Sequence, residues 1–140
     1  YMPDMKFFSS KLSERYTGIK DYFQVNEEAV KFMIKSRKTQ VIDGIMKRGV
    51  IVRHLILPLS TDDSIKIVEW FKENGEDAYF SLMGQYTPYG NISAFKELQR
   101  KITPREYRKV RDYLFDCGIE NYYLQDLSSA SEKFIPEWDF

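Results

Sequence analysis

Six residues carry side chains suited to gripping a small charged ligand. Asp4 and Lys6 stand two apart in Tyr1-Met2-Pro3-Asp4-Met5-Lys6, Arg53 and His54 lie inside an apolar run, and Gln85 and Tyr86 close another. On an extended segment, spacing by two puts Asp4 and Lys6 on one face. An acid, two bases and a neutral donor gathered in one mouth would suit a zwitterionic amino acid group, cations facing its carboxylate and the acid its ammonium. Each residue also has a plainer role. Asp4 and Lys6 read equally as a solvated loop. His54, the only histidine, is either a hydrogen-bonded core residue or a general base. Gln85 can bridge neighbouring backbone. Arg53, on a strand covered on both faces, must find a carboxylate, supplied by the protein or by a ligand.

Other chemistries lack their residues. The single cysteine, Cys117, excludes an internal disulfide framework and any cysteine-rich zinc or iron–sulfur site built from this chain alone. Its position on the apolar face of a helix marks it as inert core. There is no phosphate loop of the GxxxxGK type, no nucleophile elbow and no histidine pair for zinc. Asp62 and Asp63 read as helix-start electrostatics.

The elements that must position these side chains alternate. Tyr1 to Phe8 reads as the end of a strand running into a loop at Ser9-Ser10. After a mixed aromatic stretch broken at Gly18, Asn26-Glu27-Glu28 suggests a helix start, and Val30, Phe32, Met33 and Ile34 continue it until it stops before Val41. Val50 to Pro58 is β-branched and almost continuously apolar, as in a central parallel strand. Ser60 and Thr61 can cap a helix through Ile65, Val68 and Phe71 that ends at Asn74-Gly75. Ala78 to Tyr86 reads as a strand ended by Thr87-Pro88. Thr103-Pro104-Arg105-Glu106 is a capping box with proline in the first turn, Tyr107, Val110, Leu114 and Cys117 share a face, and Gly118 ends that helix. Asn121 to Gln125 is a last short strand. Ser128 to Phe140 reads as a loop-like tail with Phe134, Ile135, Trp138 and Phe140 as anchors. Strands and helices in this order imply right-handed crossovers and a parallel sheet, an α/β fold. Ligands of such folds sit where the strands end at their C-termini, which places the candidates at Asp4 and Lys6 after the first strand, Arg53 and His54 within the second and Gln85 and Tyr86 at the end of the third.

A chain of 140 residues, 43% hydrophobic and 30% charged, has the size of one domain and enough apolar surface for a core. No linker or repeat divides it, so residues 1–140 are expected to form one domain. Lys+Arg and Asp+Glu both number 21. No basic field therefore serves nucleic acid, and the ten tyrosines and ten phenylalanines fall mostly at core spacing. Apolar runs are far below the roughly 20 residues of a membrane span. The chain begins at Tyr1 without a basic leader or apolar signal core, so the expectation is a piece of a longer cytoplasmic protein.

Four segments in order carry a family resemblance: Tyr1 to Lys6, Lys47 to Pro58, Ser81 to Pro88 and Ile102 to Tyr107. Together they resemble the C-terminal half of radical S-adenosylmethionine proteins related to pyruvate formate-lyase activating enzyme. The resemblance implies a partial TIM-like (β/α) barrel, about half of the radical S-adenosylmethionine barrel, with parallel strands and outer helices. It implies a parent enzyme in which a [4Fe–4S] cluster reductively cleaves S-adenosylmethionine to a 5′-deoxyadenosyl radical, the partner being a glycyl radical enzyme whose backbone glycine loses a hydrogen atom. By the same resemblance Asp4 and Lys6 match the Asp-x-Lys segment lining the S-adenosylmethionine pocket, and Arg53 matches the arginine of the next strand. Tyr86 falls where activating enzymes of this type often carry a histidine, and Leu59 replaces the glycine usual after Pro58. The CxxxCxxC loop belongs to the missing first half, so this chain alone is expected to hold no cluster and to be inactive. A half-barrel leaves its first strand with an open edge, which predicts self-association. The alternative is a noncatalytic α/β interaction module in which Asp4, Lys6 and Arg53 form internal ion pairs and the aromatic tail docks a partner.

Overall fold

Apolar residues at every second position of three short segments build the sheet on which the rest is assembled. The computed structural model describes residues 1–125 and 127; the expected tail from Ser128 lies outside the described residues. Among them, helices α1 (Ser10–Thr17) and α2 (Tyr22–Ser36) precede a hairpin of β1 (Gln40–Ile42) and β2 (Ile45–Arg48). Then follow β3 (Ile51–Leu55), α3 (Thr61–Asn74), β4 (Tyr79–Met83), a short 3₁₀ turn (Lys96–Gln99), α4 (Pro104–Asp116) and β5 (Tyr122–Gln125). β3, β4 and β5 form a parallel sheet in that order. The opening residues run parallel to β3 on its other side: Arg53 N donates to Pro3 O at 2.9 Å and Met5 N to Arg53 O at 2.8 Å. Pro3 lacks a donor and sits at this edge, where no ladder bond is lost.

The fold is mixed α/β, and among the described residues the sheet does not close into a barrel. One face carries Met5, Val52, His54, Phe80 and Leu82, all buried. It packs on Val30 and Ile34 of α2, Ile67, Val68 and Phe71 of α3, and Tyr107, Val110 and Leu114 of α4. Each fully buried large aliphatic or aromatic side chain contributes about 1.5–3 kcal/mol, so this single layer contact supplies most of the driving force. Phe80 lies at its centre, its ring 4.9 Å from Phe71 and stacked 6.3 Å from His54. The register Arg53↔Ser81↔Tyr123 and Leu55↔Met83↔Gln125 places those residues together on the opposite face.

Local expectations and structure part in three places. The helix expected from Asn26 begins at Tyr22, so Asn26 is interior to it. A further helix, α1, occupies the stretch read as loop from Ser10 onward, closed by Gly18 in the left-handed region at φ 75°. The β1–β2 hairpin occupies a stretch with no strand expectation, although Asp43-Gly44 is a strong two-residue hairpin signal: both residues have positive φ, 52° and 74°, matching the twist of the flanking strands. The capping box at α4 forms in full, Thr103 accepting from Glu106 N while the Glu106 carboxylate accepts from Thr103 N.

Candidate functional site

Asp4, Lys6 and Arg53 meet. Arg53 donates from Nε and Nη2 to a single oxygen, Oδ1 of Asp4, at 2.7 Å each, and Lys6 Nζ lies 3.6 Å from the other oxygen, Oδ2. The juxtaposition follows from the backbone bridge between Asp4 and Arg53, which aligns side chains 49 residues apart on one sheet face. The side chains of Asp4, Arg53 and Lys6 remain 31%, 40% and 50% exposed. Solvent screening at that exposure limits the pair to about 1 kcal/mol or less of stability. The same exposure leaves one carboxylate flanked by two cations open to solvent. The carboxylate that Arg53 requires is thus present within the protein.

Gln85 and Tyr86 lie on the loop after β4, and among the described residues neither bonds to the triad. Gln85 is half-buried. The Tyr86 hydroxyl donates to Leu98 O at 2.8 Å, and burial pushes its phenol up, so it serves as a protonated strut for the 3₁₀ turn. His54 faces the helices: its Nδ1 lies 2.8 Å from Met5 O, which can only accept, so Nδ1 carries the proton. Nε2 is buried without a partner and desolvation lowers the imidazole pKa to about 4. His54 is therefore a neutral core residue at pH 7, away from the open face. Cys117 is half-buried against the core.

Two residues shape the site that local pattern did not single out. Asp63 accepts from Phe8 N at 2.9 Å and Ser9 N at 2.7 Å, pinning the turn after Lys6 to the start of α3. Burial raises its pKa against the pull of those two bonds. Only a contact across more than fifty residues distinguishes this role from the helix-start electrostatics that Asp62, paired with Lys109 at 2.6 Å, retains. Tyr22 and Asn26 of α2 both donate to Asp4 O, at 3.2 and 3.0 Å, and Lys6 N donates to Tyr22 Oη. The outer edge of the first segment is thereby occupied by side chains at Asp4 and Lys6, and a strand added there would have to displace them. At the same end of the sheet, Gln125 Oε1 and Thr87 Oγ1 are buried without partners among the described residues, an uncommon condition that a bound donor would relieve.

The loop after β3 is held under strain. Leu59 has φ 58°, where a side chain costs roughly 1–2 kcal/mol. It is fastened there by its N–H, which donates to Glu106 Oε1 at 2.8 Å. Arg100 grips the same carboxylate through two bonds of 2.8 Å, and these donors hold its pKa far below the ordinary range. Leu59 is 73% exposed and loses little packing on removal. Leu59→Gly should therefore stabilise the chain or leave it unchanged despite added chain entropy of roughly 0.5–1 kcal/mol. A urea midpoint clearly below that of the parent sequence would contradict the strain.

No family model matches the chain, and no solved structure matches it. It is similar to an uncharacterized protein of Methanocaldococcus jannaschii, 28% identical over 124 residues that make up 88% of this chain and 33% of that protein. The chain thus spans about a third of the length of the curated relative it matches. Among the described residues no group of three or more His, Cys, Asp or Glu side chains is placed to hold a metal ion, and no helix is long and apolar enough to cross a membrane.

Proposed function

We propose that the chain is the C-terminal part of a radical S-adenosylmethionine enzyme of the kind related to pyruvate formate-lyase activating enzyme, and that it supplies the S-adenosylmethionine side of the site. The observation that carries this reading is the Asp4 carboxylate bracketed by Lys6 and Arg53 on the face of the parallel sheet opposite Val52, His54 and Phe80. In half of a (β/α) barrel this second face would become the barrel interior. The donor set fits the methionine moiety. Lys6 and Arg53 would hold its carboxylate, Asp4 its ammonium, and the unpartnered oxygens of Gln125 and Thr87 would accept from other donors of the ligand. When bound beside a [4Fe–4S] cluster, S-adenosylmethionine would supply radical chemistry. The cluster ligands would come from the part of the parent protein that precedes this chain, as would the contacts to a glycyl radical enzyme partner.

The full-length protein, reconstituted anaerobically with iron and sulfide, tests this by titration calorimetry with S-adenosylmethionine. A hydrogen bond to a charged group contributes about 1.5–3 kcal/mol, so losing the Arg53 contact in Arg53→Ala should weaken binding by roughly tenfold or more. Equal affinity in the variant, or no binding by the parent, would remove the assignment. A second reading, a noncatalytic interaction module, draws on the same ion pair, because Asp4 already neutralises Arg53 within the protein. Under that reading Arg53→Ala lowers stability slightly and the full-length protein does not bind S-adenosylmethionine.

A further inference from the structure

Two surface features lie at the end of the sheet opposite the triad, and each presents what the other lacks. The β1–β2 hairpin projects between α2 and β3. Thr39 fixes its base by donating to Asp77, through N to Oδ1 at 3.3 Å and through Oγ1 to the backbone oxygen at 2.8 Å, just ahead of β4. Its cross-strand pairs are Ile42↔Ile45 and Val41↔Met46, and Val41, Ile42 and Ile45 are 43%, 45% and 58% exposed. A lone two-stranded hairpin is marginal in water unless an apolar face is covered. Beside the apolar tip, Lys47 and Arg48 are exposed and form no ion pair among the described residues.

The second feature is a pocket of about 300 Å³ between the C-terminal ends of α3 and α4, floored by Phe71, Ala78 and Ile119. Its rim carries Glu73, Glu76 and Glu120 against one cation, Lys72. The three carboxylates are exposed and form no ion pair among the described residues. A hairpin with apolar flanks, basic residues at its base and one acid at its turn, Asp43, and a pocket with an acidic rim and one cation, Lys72, lie on one chain and at one end of it, a self-complementary pairing of the kind a two-fold dimer uses.

We propose that this end of the molecule is a dimer interface in which the hairpin tip of each copy enters the pocket of the other, Ile42 and Ile45 covering Phe71 and Ile119 while Lys47 and Arg48 face Glu76 and Glu120. The occupant is a second copy because one chain carries both halves with opposite charge. This association leaves the occupied edge at Asp4 and Lys6 untouched and does not depend on the proposed enzymatic role.

Sedimentation velocity on the 140-residue chain, with circular dichroism to confirm folding, is the test. The unaltered chain should dimerise at micromolar to high micromolar concentration, more weakly in high salt. Lys47→Glu with Arg48→Glu, and separately Glu76→Lys with Glu120→Lys, should each shift the dimer constant by at least about tenfold toward monomer. An equimolar mixture of the two double variants restores both charge pairs in a heterodimer and should sediment as dimer again. The proposal fails if the unaltered chain is monomeric, if it dimerises regardless of these charges, or if the mixture stays monomeric. Hairpin-dependent binding of a monomeric chain to phosphatidylserine vesicles would also overturn it.

Discussion

Between pH 7 and pH 5 the chain is expected to lose about 2 kcal/mol of folding stability through His54 alone. In the folded protein the imidazole pKa is lowered from 6.5 to about 4, because the ring is buried and its Nε2 meets no acceptor. In the unfolded chain the ring titrates normally. Over this interval the unfolded state binds more protons, so stability rises with pH; it is complete above 6.5 and is lost progressively as pH falls toward 4. Two carboxylates with shifted pKa values act beside it. Glu106, with its pKa depressed by Arg100 and the α4 cap, loses its contribution only below the ordinary carboxylate range. Asp63, raised by burial, acts in the opposite sense, its folded form holding a proton more readily than the unfolded chain does. Urea unfolding at pH 7, 6 and 5 measures the slope. His54→Asn, which can keep a donor toward Met5 O, should flatten it; an unchanged slope in that variant would show that another group is responsible.

Phe80→Ala should cost about 3–5 kcal/mol, the largest single effect expected from a side chain in this fold. Phe80 is fully buried on the central strand of the sheet, between the rings of Phe71 and His54. Strands on both sides hold its backbone, with Phe80 N donating to Asn121 O at 2.9 Å, so neighbours cannot collapse far into the space left behind. The cavity would border the imidazole and admit water to it, raising the His54 pKa toward 6.5. The two predictions are therefore coupled: Phe80→Ala should lower stability at pH 7 and also reduce the loss between pH 7 and pH 5. If the variant keeps the full pH slope, the space beside His54 has closed or stayed dry. Phe80→Leu, which fills most of the volume, should retain more stability and more of the slope.

Much of this fold is legible in local pattern, and the exceptions have physical causes. The apolar run around Val52, the periodicity of α3 and the Thr103-Pro104-Arg105-Glu106 box are read correctly because they depend on neighbours within one turn or one strand. α2 begins at Tyr22 because Phe23 packs on Phe8 and Trp70, at ring separations of 4.4 and 6.4 Å, and these contacts extend the helix past the cap that Asn26 offers. Asn26 instead turns its amide to Asp4 O. Asp43-Gly44 was legible as a turn signal, but the strands it joins are too short and too mixed to show alternation.

The candidate site divides in the same way. That Asp4 and Lys6 share a face follows from two-residue spacing, whereas the acid expected for Arg53 rests on a strand covered on both faces, which the 40% exposure of its side chain does not bear out. That Asp4 is this acid depends on a parallel bridge across 49 residues, and no local rule selects that pairing. Gln85 and Tyr86 were grouped with the triad as neighbours of strand ends, yet Tyr86 is committed to Leu98. The amino-acid order by itself determined the strands of the parallel sheet, the helices α3 and α4 and their apolar faces, but not α1 or the β1–β2 hairpin, because the former are set by steric preference and hydrophobic spacing over a few residues. Only the tertiary structure decided which charges meet, which histidine nitrogen is stranded and which surfaces remain bare, because those outcomes depend on the register of strands far apart in the chain.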